Sequence, residues 1–518
     1  MRLNAKSDMR NEHMTDYDAI VIGAGNSGLT AAAGMQRKGL RTLLLERHNI
    51  PGGCGTSFVR GEFEFEVALH QLSGMGSDDN PFVLRQTFEE LGVMDKVDFV
   101  EEGEIYRFCV PGKVDVTLPA SIPGIVAVLS REFPEEAGKI RDFMKVCGQL
   151  THEYYVLFPR AKASKDPEEL EQRCPNVVKY GVRTARDVLD EFFADERLKA
   201  ALGAYWPYLG LPLDELPFVE LGPMFFLYAE YRPYHMRGGS QAMSNALLDS
   251  FMEAGGEVRF NTAAQTIHTN DGRVCGVTTE HGDRFSCNHV VSNSSSIHTF
   301  NELLDWDEAP EQVQQIFRHS RIGVSGFIVY MGLDVSPEEL GVTAASNFIC
   351  SDLDDRVVFE TANALTDPAG CLFTCYNYDD PSFAPDGKSM IGLMCAQYAA
   401  PWEAMDPEIY FDAKYDFAER LIALAEQVYP GLKDHIEEVE VATPLTVMRY
   451  LNTPGGAIYG FDQNALETPV FRERLRGPEG LYLAGAWSGP GGFQPTYMAG
   501  LSAANTVVRN NTQLLAAE

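Results

Sequence analysis

The chain opens with an apolar run at 19–22 that breaks at Gly23 into a glycine-rich turn. From 27 to 38 the apolar positions recur at helical spacing until Gly39, and 42–45 forms a second apolar run. This is the strand, turn, helix, strand order that begins a doubly wound sheet. Between 81 and 235 acidic helical stretches such as DPEELEQR alternate with aromatic-rich pieces such as YWPYLGLPLDELPF. At 236 the α/β grammar returns. Ser240 is placed to cap a helix over 241–254, Gly255 and Gly256 to stop it, and 257–260 to start a strand. Two further strands, GRVCGVTTE and RFSCNHVVSN, follow. The block 297–440 mixes alternating runs such as GFIVYMGLDV with an amphipathic helix near 409–428. The final stretch, GLYLAGAWSGPGGFQPTYMAG, is again an apolar strand, a glycine turn and a helix.

Sheet-forming pieces separated by two long insertions predict two interleaved domains. One comprises 15–80, 236–296 and 441–510, the other 81–235 and 297–440, behind a leader at 1–14. A length of 518 residues suits that division. The 42 Lys and Arg against 74 Asp and Glu leave a net charge of -32, which argues against nucleic acid and against simple adsorption to anionic lipid. The first residues lack an apolar signal core, so a cytoplasmic protein is expected. The apolar stretches 222–231 and 322–333 are too short to span a bilayer, and peripheral membrane contact is left open. Ten scattered cysteines and eleven histidines show no ligand spacing, and no metal is expected.

The glycine turn carries the first chemistry. Gly23 permits the tight turn, Gly25 lets backbone approach a diphosphate, and Gly28 lets the helix pack close to the strand. The following strand ends in Glu46, placed to accept from ribose hydroxyls and to repel a 2'-phosphate, so the ligand is FAD or NAD in preference to NADP. A second glycine pair, Gly52 and Gly53, directly behind that acid suits another backbone approach and favours FAD.

With Gly23 to Glu46, the segment PGGCGTSFVRGEFEFEVALHQLSG resembles the N-terminus of phytoene desaturases, carotenoid isomerases and retinol saturases. The segments RGGSQAMSNALLDSFMEAGGEVRFNTAAQTI, CNHVVSNSSS and EGLYLAGAWSGPGGFQPTYMAGLSAANTV resemble their central and C-terminal parts, in the same order. TPLTVMRYLNTPGGAIYG is similar to a stretch of the isomerases and saturases in particular. The resemblance implies a Rossmann-type FAD-binding domain of amine-oxidase-like architecture, interleaved with an α+β substrate domain. It further implies that Gly23, Gly25, Gly28 and Glu46 hold the ADP half of FAD, and that Gly52, Gly53, Thr56 and Ser57 line the diphosphate-to-flavin region. Backbone near Ala264 would meet adenine, and Gly485 with Ala486 the ribityl diphosphate. Where such flavoproteins carry an acid after the late glycine this chain has Ala486 and Trp487, and where they carry an arginine after the glycine pair it has Cys54, so backbone must supply those contacts.

The family's chemistry is hydride transfer between flavin and carbon, for which few acid-base residues are needed. The substrate implied is an apolar polyene or isoprenoid-like molecule, desaturated, saturated or isomerised. His70 lies where the resemblance to retinol saturases implies a histidine near the flavin, and is on that ground the first candidate for proton delivery or for tuning flavin charge, with Glu66 four residues earlier available to orient it. Arg449 and Tyr450 are candidates to stabilise reduced flavin or anchor a head group. No second nucleotide turn is present, so oxygen, a quinone or a reduced carrier is the expected external donor or acceptor. Flavin-dependent amine oxidation and a non-catalytic binding protein stapled by FAD stand as alternatives; the sequence does not specify an oligomeric state.

Overall fold

The computed structural model describes residues 15–164, 166–464 and 475–517, so the expected leader at 1–14 lies outside the described residues. Two seven-stranded sheets organise the chain. In the first, the strands Leu481–Leu483, Arg284–Ser292, Tyr17–Ile22, Thr42–Leu45 and Glu257–Arg259 pair in parallel, and the antiparallel strands Ala264–Asn270 and Arg273–Thr279 extend it. Ile20 and Leu43 pack on one face with Phe300, Leu303 and Val313. Val21 and Leu44 pack on the other with the helices Asn26–Arg37, Gly239–Glu253 and Phe493–Ala517. Burial on both faces explains why 19–22 and 42–45 are continuous apolar runs and do not alternate.

The second sheet runs in the order Ile436–Ala442, Ser325–Leu333, Ser389–Gln397, Gly370–Cys375, Ser346–Cys350, Glu104–Val110 and Val114–Pro119. Its pairs are antiparallel except the parallel contact of Ser346–Cys350 with Glu104–Val110. The helix Tyr410–Glu426 buries Phe417 and Leu421 against one face. A helical layer that includes Ala137–His152 and Phe218–Tyr231 shares a core with Phe348 and Leu372 on the other. Residues 84–97 lie within the stretch expected to belong to the substrate domain, yet Leu84, Phe88 and Val97 pack in the core of the first sheet.

Ser240 does not cap its helix. The helix runs Gly239–Glu253 after Gly238 in the left-handed region, and Ser240 sits inside its first turn. Its amide and hydroxyl both donate to the carboxylate of Glu66, at 2.7 and 2.6 Å. Glu66 itself is 2 % exposed and also accepts from the Leu69 amide at 3.2 Å. A carboxylate 174 residues away has therefore taken the capping role, which the positive end of a helix favours. Committed to that helix, Glu66 has no hydrogen bond with His70.

Candidate functional site

The glycine turn after the first strand is shaped by contacts that exclude a Cβ. Gly23 has φ +91°, and a Cβ on Gly28 would stand 1.8 Å from the Gly23 carbonyl oxygen. A Cβ on Gly25 would stand 2.7 Å from Nδ2 of Asn293, whose backbone N–H donates to Ile22 O at 2.9 Å. Across the turn, a Cβ on Gly485 (φ +107°) would meet Asn293 Oδ1 at 2.9 Å. Asn293 thus occupies the crook between the early and late glycine turns, a part the sequence reading did not assign to it.

The second glycine loop docks on the first. The Gly52 amide donates to Ala24 O at 2.8 Å, Gly25 and Gly52 form a parallel bridge, and Gly52 and Gly53 take φ +128° and +61°. The helix Asn26–Arg37 starts at Gly25 without a side-chain cap, leaving its first N–H groups for whatever lies in front of them. The Asn26 Oδ1 beside it is buried and has no hydrogen-bond partner among the described residues. Glu46 accepts from the Ala24 amide at 2.6 Å and the His48 amide at 2.7 Å, which leaves lone pairs on both oxygens for further donors. The Thr262 amide donates to Glu46 O at 2.9 Å, which brings Thr262, Ala263 and Ala264 alongside.

Apart from Ala24 and Gly28, which lie behind the turn, these residues line one cavity of about 1370 Å³ that continues between the two sheets. Thr56 and Ser57 line it, but their hydroxyls are committed to protein, Thr56 to Gln241 Oε1 at 2.5 Å and Ser57 to Glu64. Gly485 and Ala486 line it from the late turn; the neighbouring Trp487 is buried edge-on against Phe461, 5.1 Å between ring centres. Ala486 and Trp487, which follow the late Gly485, therefore supply no charge, and Trp487 is a packing group.

His70 faces the part of the cavity bounded by the second sheet. Its Nδ1 lies 2.8 Å from Thr374 Oγ1 and 3.3 Å from the Tyr376 hydroxyl, and its ring stacks near Tyr208 at 6.0 Å. Its Nε2 is enclosed without a hydrogen-bond partner among the described residues. Burial pushes the imidazole down to about 4, so it is neutral at physiological pH and is no standing cation. Tyr208, Thr374 and Tyr376 come from segments more than a hundred residues away, and nothing local to His70 announces them.

Arg449 and Tyr450 are not brought to His70. Both lie on the helix Pro444–Leu451 at the nucleotide end of the cavity, where the Arg449 carbonyl accepts from Arg47 at 2.8 Å and Tyr450 sits 6.1 Å from His48. Tyr450 is 57 % exposed, and the Arg449 guanidinium lies 5.9 Å from its ring. Among the described residues no helix is long and apolar enough to cross a membrane.

Residues 26–508 match the model of the family described as flavin containing amine oxidoreductase. The chain is 26% identical to prolycopene isomerase 1 of an Oncidium hybrid cultivar over 87% of this chain and 76% of that one. It is also 26% identical to the all-trans-retinol 13,14-reductase of Macaca fascicularis, over 86% and 77%. In fold it is similar to putrescine oxidase bound to putrescine, with a TM-score of 0.64 at 14% identity, covering 95% of this chain and 99% of that one. An oxidoreductase from Methanosarcina mazei gives 0.62 at 15%, covering 94% and 99%. With the sheet, the paired glycine turns and the acid in the order seen here, the chain belongs to the flavin-containing amine oxidoreductase family and is an FAD-dependent oxidoreductase, similar in sequence to a prolycopene isomerase and a retinol reductase.

Proposed function

We propose that the enzyme transfers hydride between its flavin and a carbon-carbon bond of an apolar polyene or isoprenoid-like substrate. The observation that carries this reading is the cavity beyond the glycine turns. Its walls there are Phe108, Trp206, Leu209, Met224, Leu227 and Phe348, suited to a molecule that offers little to hydrogen-bond. The names of the relatives, prolycopene isomerase and retinol reductase, support the same substrate class.

FAD, when bound, supplies two-electron hydride chemistry at N5. In this reading Gly23, Gly25, Gly52, Gly53 and Gly485 present backbone to the diphosphate, Gly28 keeps the helix close against the strand, Glu46 accepts from the ribose, and Ala264 borders the adenine. Ala486, Thr56 and Ser57 contribute backbone and contour toward the ribityl and flavin region. His70, neutral and held by Thr374 and Tyr376, orients the reacting segment and shuttles a proton where the net reaction needs one. Arg449 and Tyr450, at the rim, close the nucleotide end. An apolar wall also excludes water from the reacting carbons.

The test is anaerobic. Reduced holoenzyme is mixed with all-trans-retinol, a poly-cis carotene and simple amines, and flavin absorbance and products are followed. Reoxidation, or catalysed isomerisation, by a polyene is expected. Oxidised enzyme reduced only by amines would establish the amine oxidase alternative, and a flavin inert to all of them would establish the binding-protein one.

A further inference from the structure

The helix Phe218–Tyr231 lies along the cavity and lines it with Glu220, Met224, Leu227 and Tyr228, the side chains one helical face presents. Three of them suit an apolar chain. Glu220 does not, and neither the sequence reading nor the relatives assign it a task.

Its Oε1 accepts from the Tyr154 hydroxyl at 3.2 Å, while Oε2 has no hydrogen bond among the described residues. Tyr154 and Tyr155 stand on a single π-helical turn, Glu153–Leu157, at the end of the helix Ala137–His152, a local irregularity that frequently marks functional positions. Tyr155 also lines the cavity. Burial pushes the Glu220 carboxyl up to about 7, so the fold carries an acid that its surroundings do not fully satisfy. At the other end of the same face, Tyr228 donates to the carbonyl of Gln71, the neighbour of His70, at 3.2 Å. Eight residues of helix separate the two, about 12 Å.

We propose that Glu220 recognises a hydroxyl group carried at the end of the apolar substrate, seated about 12 Å along the same helix face from the reacting segment beside His70. The inference rests on the polyene reading of the cavity. An alcohol both donates and accepts, so it suits the acid in either protonation state. An ammonium would shed its water for a single acid whose only hydrogen-bond partner among the described residues is a neutral tyrosine hydroxyl. A site built around such a polar atom discriminates strongly against an analogue lacking the partner.

The experiment uses FAD-loaded enzyme and three probes of one shape: all-trans-retinol, the hydrocarbon lacking its hydroxyl, and retinylamine. Binding is read from perturbation of the flavin spectrum. Wild type is expected to bind the alcohol at least about thirtyfold more tightly than the hydrocarbon, and Glu220→Leu, whose flavin spectrum before probe is added matches wild type, to bind both alike. Glu220→Gln should keep part of the preference. Above neutral pH both variants should melt at a higher temperature than wild type, because the carboxylate's burial cost is removed; a merely structural acid would give the opposite shift. Equal binding of all three probes, tightest binding of the amine, a preference that survives Glu220→Leu, or a lower melting temperature in both variants overturns this inference alone. Failure of all three to bind overturns the polyene reading and this inference with it.

Discussion

The two halves of the cavity are built from different materials. Around the first sheet the surfaces are backbone: four glycines at 23, 52, 53 and 485 in left-handed conformations, an uncapped helix start, and one acid held by two amides. Around the second sheet they are side chains assembled from remote segments, His70 with Tyr208, Thr374 and Tyr376, and Glu220 with Tyr154. Backbone geometry at the first tolerates almost no substitution and says little about substrate. Side chains at the second can change without loss of fold, and that is where a family sharing one cofactor can diversify its chemistry.

Substitutions at the first region should therefore act on folding and cofactor together. Gly28→Ala has the largest expected effect: a Cβ 1.8 Å from a backbone oxygen forces strand and helix apart, at a cost of about 3 kcal/mol or more, and the protein should purify colourless or aggregated. Glu46→Ala strands the Ala24 and His48 amides and removes the ribose acceptor. FAD affinity should fall about 10- to 100-fold by equilibrium titration, with a fold that still melts cooperatively.

At the second region the expected signature is acid sensitivity. His70 is held near 4 in the fold against 6.5 when exposed, so as pH falls through 6.5 the unfolded chain takes up the proton first. Stability from this group is present above pH 6.5 and is lost as pH falls toward 4, roughly 2 kcal/mol of it by pH 5. His70→Phe should flatten that part of the stability curve, as read from denaturant midpoints at pH 7 and 5. An unchanged pH dependence would show that the imidazole is solvated. The smallest effect belongs to Arg449→Ala and Tyr450→Ala: both side chains are exposed, and kcat should stay within about threefold of wild type. A hundredfold loss at either would move the reacting centre toward the rim.

The same contrast governs what was legible in the sequence. The strands at 17–22 and 42–45 and the turn between them can be read because each glycine answers a local backbone demand, and Gly23 at φ +91° and Gly28 against the Gly23 carbonyl are met within six residues. Glu66 was open to misreading: beside His70 along the chain it looks like an orienting acid, yet its partner is a helix start 174 residues on, and Ser240 loses its expected cap for the same reason. His70 stood out by its resemblance alone, since Thr374 and Tyr376 join it only through the second sheet. Glu220 had a signal that went unused, a lone acid inside the apolar run PFVELGPMFFLY, where a solvated surface face would have offered more than one polar position.

The central claim is that cofactor retention and substrate handling are separable because backbone serves one and side chains the other. The most direct measurement takes both readouts on the same chamber variants, His70→Phe and Glu220→Leu: the dissociation constant for FAD and the rate at which a polyene exchanges electrons with the bound flavin. The account predicts an FAD affinity within about threefold of wild type in both, with exchange slowed at least about tenfold in His70→Phe. Cofactor affinity and exchange falling in step, or exchange untouched by either substitution, would contradict it.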